Sequence, residues 1–155
     1  LGTAETGPQH LQPSVVRLPD GRLLAVMRNA GGGWLWVTDS IDSGHSWSPP
    51  KDSGFPNPGS AAGLLSLASG KLLLVFNDSP ADRTPLSAAV SADGGVTWPV
   101  RKVLAQGDGS YSYPSAGQTP DGLIHILYSL QRDRIQHVTL NEAWLADPDA
   151  AATGP

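Results

Sequence analysis

LPDGRLLAVMRN, at residues 18–29, sets the pattern that decides the fold, because closely related stretches follow it twice. These are LASGKLLLVFND at 67–78 and TPDGLIHILYSL at 119–130. Each is a turn that ends in glycine, followed by a run rich in Leu, Val and Ile, which is typical of an antiparallel strand after a tight turn. The three turn glycines are 49 and 52 residues apart: Gly21, Gly70 and Gly122. A period near 50 residues with three or four strands in each unit predicts the blades of a β-propeller.

Each repeat has a further short apolar segment before the turn and an alternating segment after the central strand. The segments before are QPSVVRL, GSAAGLLSL and YPSAGQ, and the segments after are WLWVTDS, PLSAAVS and IQHVTL. We therefore expect an all-β chain of about three four-stranded antiparallel blades, with the third repeat ending after its third strand near Leu140. The predicted boundaries are a flexible segment at 1–9, blades at 10–58, 59–110 and 111–145, and a flexible tail at 146–155.

The pattern S-x-D-x-G-x-[ST]-W occurs at residues 40–47 and again at 91–98, at the same place in the first two repeats. A short aspartate can accept hydrogen bonds from turn amides, glycine tolerates a positive φ, and tryptophan can bury a large ring between sheets. This motif is the Asp-box, and we expect it to form the hairpin between the third and fourth strands of a blade. We assign it a structural role and not a catalytic one.

With these motifs, residues 10 to 145 resemble the BNR-repeat-like branch of the sialidase (neuraminidase) superfamily. The resemblance implies the C-terminal half of a six-bladed propeller, because three blades are too few to close a ring. The activity implied is that of an exo-acting glycoside hydrolase whose substrate is a terminal sugar with a carboxylate.

The composition excludes several other classes of protein. Eighteen Gly and 14 Pro among 155 residues disfavour long helices. A net charge of −4 without a basic stretch does not suit a nucleic-acid partner. No run approaches the roughly 20 apolar residues that cross a membrane. The chain has no cysteine, so disulfides, thiolate metal ligands and a cysteine nucleophile are excluded.

The resemblance also implies particular site residues. Arginines of this superfamily clamp the sugar carboxylate, since the planar guanidinium bonds a carboxylate bidentately and keeps its charge. Arg28 stands at the end of a central strand, where the second clamp arginine is expected, and Arg83 stands in the loop expected to hold the third. The nucleophile is a tyrosine, and the YPSAGQ segment before a Pro-Asp-Gly turn makes Tyr113 the candidate.

Several alternatives stay open at this stage. Tyr111, two residues before Tyr113, is expected to point to the same side of an extended segment and is the second candidate. The base that activates the tyrosine is a glutamate in well-characterised sialidases, whereas this chain has Gln12, whose carboxamide cannot accept the proton. Tyr113 could instead be a core aromatic residue. Arg132 and Arg134 could border the central channel as further binding residues, or be solvated surface charges.

Three functions follow from these observations. The first is a fragment of a sialidase-like hydrolase that uses Tyr113 and is inactive alone, because its acid–base aspartate and first arginine would lie on other blades. The second is a glycan-binding propeller without hydrolysis, which Gln12 favours. The third is a half-propeller that closes a six-bladed ring as a homodimer. We expect a glycan partner, no nucleic-acid or membrane partner, no cofactor and no metal, and an extracellular or periplasmic location.

Overall fold

The computed structural model describes residues 2–148 and 150, and within this range the chain forms three antiparallel sheets. Each sheet pairs strands that are neighbours in sequence, which confirms the all-β blade prediction. Blade 1 contains β1 His10–Arg17, β2 Leu23–Asn29, β3 Gly33–Ser40 and β4 Lys51–Asn57. Blade 2 contains β5 Gly63–Ser66, β6 Leu72–Asn77, β7 Leu86–Ser91 and β8 Val100–Ala105. Blade 3 contains β9 Tyr111–Gln118, β10 Ile124–Leu130 and β11 Arg134–Leu140.

Blade 2 lies between the other two blades and is buried on both faces. Every residue of β6 and β7 is buried, and successive side chains of β6 point to opposite faces. Leu74 and Phe76 belong to the core against blade 1, and Leu73 and Val75 to the core against blade 3. This explains why the second repeat has a continuous apolar run, LLLVF, where a strand buried on one face would alternate.

Blades 1 and 3 each have one face that no other described blade covers. In β10, Ile124 and Ile126 are fully buried against blade 2, whereas Leu127 is 44% exposed. In blade 1, Val15 is 55% exposed and Trp34 is 46% exposed. These apolar side chains on the outer faces are a feature of blades with a neighbour on one side.

Strand β5 contacts both β1 and β9, and these three are the inner strands of their blades. Between blades 1 and 2, the Ser14 hydroxyl accepts a hydrogen bond from the Leu64 amide at 3.0 Å. Gly63 lies so close to blade 3 that a Cβ there would be 3.0 Å from the Pro114 carbonyl oxygen. The small residue therefore permits the close approach of β5 and β9.

The Asp-box hairpins connect β3 to β4 and β7 to β8. In the first, the Asp42 carboxylate accepts from the Ser40 hydroxyl at 2.8 Å and from the Ser46 amide at 2.8 Å. Gly44 has φ of +87°, and the Trp47 indole donates to its carbonyl at 3.2 Å. The second box repeats these bonds with matching residues: Ser91, Asp93, Gly95, Thr97 and Trp98.

The strand register puts these hairpins far from the end of β2 that carries Arg28. Ser40, the first residue of the first box, pairs with Leu23 at the start of β2, whereas Arg28 lies at the other end of β2 beside Leu11. The Asp-boxes therefore lie at the end of the blades opposite to the predicted site residues. This geometry agrees with a structural role.

A short helix, α1 Glu142–Ala146, follows blade 3 and was not expected from the sequence. The Asn141 side chain caps it by accepting from the Trp144 amide at 2.9 Å, and Leu145 is buried against blades 2 and 3. Of the flexible segments predicted at 1–9 and 146–155, residues 1, 149 and 151–155 lie outside the described residues. No helix in the described part of the chain is long and apolar enough to cross a membrane.

A buried chain of hydrogen bonds joins the three blades. The Ser60 amide donates to the Asn57 side-chain oxygen at 2.8 Å, and the Ser60 hydroxyl donates to the Asn77 side-chain oxygen at 2.6 Å. The Asn77 side-chain amide then donates to the carbonyl of Tyr111 at 3.2 Å. Asn57, Ser60 and Asn77 are all 0% exposed. This series of hydrogen bonds thus runs from the last strand of blade 1 to the first strand of blade 3, and its side chains are shielded from water.

Replacing Asn77 with alanine should destabilise the protein, because the Ser60 hydroxyl and the Tyr111 carbonyl would lose buried partners. We expect the free energy of unfolding to fall by about 2–4 kcal/mol for Asn77→Ala, since each buried unpaired group costs roughly 1–3 kcal/mol. Urea unfolding followed by tryptophan fluorescence measures this. Asn29→Ala is the control, because the Asn29 side chain accepts a hydrogen bond from a backbone amide in an exposed turn. Equal losses of unfolding free energy in the two variants would show that the buried hydrogen bonds stabilise the fold no more than the exposed one does.

The Asp-boxes should make stability depend on acid pH. Hydrogen bonds from the Thr97 hydroxyl and amide, and then from Ser91, lower the pKa of Asp93 to about 2. Bonds from Ser46 and Ser40 likewise lower the pKa of Asp42. A carboxylate with a lowered folded pKa stabilises the fold above its unfolded pKa, and this contribution is lost as the pH falls. We therefore expect the urea midpoint to fall between about pH 4 and pH 2.

The variants that test this dependence are Asp93→Asn and Asp42→Asn. Each should reduce the steepness of the decline in urea midpoint below pH 4, because the amide cannot gain the proton. Asp108→Asn, at an exposed position outside both boxes, is the matched control. A decline that stays as steep in the box variants as in the control would refute this origin of the pH dependence.

Candidate functional site

A cleft of about 340 Å³ lies along the inner strands and is bordered by all three blades. Gln12, Ala61 and Tyr113 line it, and each stands nine residues before the turn glycine of its own repeat. The three residues thus hold equivalent positions in blades 1, 2 and 3. Three different groups therefore line the cleft from equivalent positions of the three blades: a carboxamide, a methyl group and a phenol.

Gln12 and Tyr113 share an unusual backbone conformation. Their φ angles are +51° and +55°, and each residue comes directly before a Pro-Ser pair. In both inner strands the ladder register shifts at this point. A positive φ in a non-glycine residue costs of order 1–3 kcal/mol and occurs often at functional sites. The conformation carries the Tyr113 side chain, which is 49% exposed, to the cleft surface.

Arg83 lies beside Tyr113 and is partly buried. It is located in the loop between β6 and β7, and its guanidinium carbon is 5.7 Å from the centre of the Tyr113 ring. Its Nη1 donates to the Ser112 hydroxyl at 2.7 Å, and its carbonyl accepts from the Tyr111 amide at 2.9 Å. The predicted third clamp arginine and the predicted nucleophile are therefore neighbours.

Arg28 lies at the end of β2, as predicted, and bridges to blade 2. Its Nη1 donates to the Gly59 carbonyl at 2.8 Å. The repeat equivalents of these two residues are Asn77 and Tyr111, which form the same bond between blades 2 and 3. Among the described residues, the Arg28 Nε is a buried polar atom that has no hydrogen-bond partner. Part of the Arg28 guanidinium therefore does not take part in the hydrogen bond that joins the blades.

The expectation that Tyr111 shares the side of Tyr113 is wrong. Tyr111 is 7% exposed and packs edge-to-face on Tyr128, with ring centres 5.8 Å apart. Its hydroxyl donates to the Gln106 carbonyl at 2.9 Å. Burial, and then proximity to Tyr111, raise the pKa of Tyr128. The register shift and the positive φ of Tyr113 break the alternation that the sequence argument assumed.

Of the other predicted arginines, Arg132 lies in the turn between β10 and β11, and Arg134 is the first residue of β11. Arg132 is exposed with φ of +66°, and Arg134 forms an exposed ion pair with Asp133 at 3.5 Å. The Gln131 amide in the same turn donates to the Ser110 carbonyl, just before β9. The turn is therefore at the end of blade 3 where β9 begins, but within the described part of the chain no hydrogen bond or ion pair joins Arg132 to the cleft residues.

Two histidines stack on blade 3 outside the cleft. His125 Nδ1 and His137 Nε2 are 3.0 Å apart, and His125 Nε2 is 3.2 Å from the Thr119 hydroxyl. Within the described residues there is no group of three His, Cys, Asp or Glu side chains that could hold a metal ion.

Sequence reasoning missed Ser112, Asn77 and Ser60, which fix the backbone behind the cleft. Small polar residues at the ends of apolar runs, such as Asn77 after LLLVF, were the available signal. That signal is weak, because such residues are also common in exposed turns.

The three antiparallel sheets and the two Asp-boxes define a propeller of the sialidase class. The family model described as BNR repeat-like domain matches residues 2–126. The chain therefore belongs to the BNR repeat-like family within the sialidase superfamily.

Individual relatives agree with this family. A sialidase of Micromonospora viridifaciens is 36% identical over 151 residues, covering 90% of this chain and 23% of that protein. A sialidase of Bacteroides fragilis is 27% identical over 146 residues, covering 88% of this chain and 26% of the relative. The solved Hadza microbial sialidase Hz136 shares the fold, with a TM-score of 0.75 at 24% identity over 90% of this chain and 29% of that one. The chain spans about a quarter of the length of the curated relatives it matches.

The two tyrosines should respond differently to truncation. We expect Tyr111→Ala to lower the free energy of unfolding by about 3–5 kcal/mol, as for a buried aromatic residue. Tyr113→Ala should change it by less than about 1 kcal/mol, because the ring lies at the cleft surface. Urea unfolding of both variants measures the difference. Similar losses would mean that Tyr113 is a core residue, as the alternative interpretation of the sequence holds.

Proposed function

We propose that the cleft binds the carboxylate of a terminal acidic sugar through Arg83 and Arg28, in the manner of an exo-sialidase. The observation that carries this proposal is the guanidinium of Arg83 beside the Tyr113 ring at the cleft surface. A guanidinium offers two parallel N–H groups to a carboxylate, and its charge favours an anionic sugar over a neutral one. The sialidase relatives support this substrate class.

In the proposed reaction Tyr113 is the nucleophile. Its phenol oxygen would attack the anomeric carbon, the bond from that carbon to the leaving oxygen would break, and the phenol proton would pass to a base. A glutamate would serve as that base, but Gln12 occupies the position at the cleft and cannot accept the proton. The leaving oxygen would take its proton from an acid on another part of the propeller.

Binding without hydrolysis is the second candidate function, and Gln12 is the observation that favours it. A carboxamide can hydrogen-bond a sugar hydroxyl as donor and acceptor, and it keeps these properties at every pH near neutrality. With Gln12 in its lining and the Arg83 guanidinium beside Tyr113, the cleft is suited to holding an acidic sugar at the end of a glycan.

Binding is tested by NMR titration of the chain with N-acetylneuraminic acid and with its methyl ester. We expect the acid to bind about tenfold more tightly than the ester, because a charged hydrogen-bonded pair contributes roughly 1.5–3 kcal/mol. Arg83→Gln should greatly reduce this preference, because only Arg28 would remain to bind the carboxylate. Arg17→Gln, at an exposed position at the far end of β1, is the control. Equal binding of acid and ester by the unaltered chain would refute the proposed site.

Hydrolysis is tested in the same preparation with a 4-methylumbelliferyl sialoside, whose leaving group departs without an acid. The unaltered chain should release no fluorophore, whereas Gln12→Glu should release it because the phenol gains a base. Adding Tyr113→Phe to Gln12→Glu should abolish that release. Carboxylate binding with no release by Gln12→Glu would favour the binding function over the hydrolase.

A further inference from the structure

Ser112 is a completely buried serine directly before the candidate nucleophile. It is 0% exposed, while Tyr113 beside it is 49% exposed, so the chain turns from the core to the cleft within one residue. The Ser112 hydroxyl accepts the bond from Arg83 Nη1 at 2.7 Å. A hydrogen bond from a charged donor is stronger than a neutral one, and a buried partner is not exchanged for water.

The backbone on both sides of this bond is fixed. The Tyr111 amide donates to the Arg83 carbonyl at 2.9 Å, so the arginine is tied to β9 through its main chain as well as its side chain. Asn77 donates to the Tyr111 carbonyl at 3.2 Å from inside blade 2. Ser112 therefore sits on a segment that has little freedom to move relative to Arg83.

The direction of the guanidinium decides whether Arg83 can serve a carboxylate. Its planar fork bonds a carboxylate with two N–H groups only in one orientation. The bond to Ser112 engages Nη1, and the ring of Tyr113 lies 5.7 Å from the guanidinium carbon on the cleft side. A long, flexible arginine without this anchor would sample many rotamers, and binding would have to overcome that entropy.

We infer that Ser112 is a positioning residue, which holds the Arg83 guanidinium beside Tyr113 in the orientation that selects carboxylated sugars over neutral ones. This inference rests on the proposed function for its ligand. The anchoring of Arg83 itself exists without any ligand, and it can be measured separately.

The first measurement is NMR of the Arg83 guanidinium in the ligand-free chain, with the signal assigned by its loss in Arg83→Gln. Hindered rotation about the Cζ–Nε bond reports the anchor. We expect this hindrance in the unaltered protein and in Ser87→Ala, and its loss in Ser112→Ala. Ser87 is a matched control, because it is a serine of blade 2 that is 2% exposed.

The second measurement repeats the titration with N-acetylneuraminic acid and its methyl ester. Ser112→Ala should reduce the preference for the acid by about fivefold to tenfold, as expected for one charge-assisted hydrogen bond, and leave ester binding unchanged. In the Arg83→Gln background, Ser112→Ala should have no further effect, because both substitutions remove the same interaction.

The outcomes separate the inference from the function on which it rests. If Ser112→Ala keeps both the hindered rotation and the preference for the acid, the positioning role is refuted. If the unaltered protein and all variants bind the acid and the ester equally, but the hindrance to rotation is lost in Ser112→Ala, the anchoring of Arg83 is supported and the proposed function fails. Loss of acid preference to the same extent in Ser87→Ala would indicate general loosening of blade 2 and would also overturn the inference.

Discussion

The hydrogen-bond chain from Asn57 through Ser60 and Asn77 to the Tyr111 carbonyl is the constraint on which the rest of the structure depends. Apolar packing joins the blades but allows them to slide, because it has little directional preference. The buried polar groups have no water to replace a lost partner, so each bond must keep its geometry. These hydrogen bonds therefore fix how the three blades are rotated relative to one another. They also fix the carbonyl two residues before Tyr113, and hence the point where β9 leaves the core.

A propeller repeats its geometry, and its chemistry arises where equivalent positions differ. Gln12, Ala61 and Tyr113 occupy one position in three blades, yet only the first and last stand before proline and have a positive φ. Their strained backbone costs free energy that the surrounding ladder must offset. At Ala61, which lies ahead of β5, the pairing of β5 with β6 runs in one continuous register. Of these three equivalent positions, only the two with large polar side chains are strained.

Much of the fold could be predicted from the sequence, because its signals are local. The repeat of turn glycines and the two Asp-boxes depend on φ preferences and short side-chain bonds within a few residues. The all-β blades followed from them, whereas the choice of Arg83 and Tyr113 as candidate site residues came from the family resemblance. The environment of Tyr111 could not be predicted, because alternation fails at a bulge that only the folded ladder reveals. Helix α1 was missed because five residues show too little periodicity, and the burial of Leu145 depends on tertiary contacts.

Arg28 and Asn77 show how a charged and a neutral side chain can make the same structural bond between blades. Both donate from the end of a second strand to a carbonyl of the following blade, so either side chain satisfies the joint between blades. Asparagine is short, and at 0% exposure its donor and acceptor are both used within the fold. Arginine makes the same bond with one of its nitrogens and has further N–H groups at a greater distance from the backbone. A blade can therefore exchange asparagine for arginine without losing the hydrogen bond to the next blade. The exchange adds a fixed positive charge at the end of the second strand.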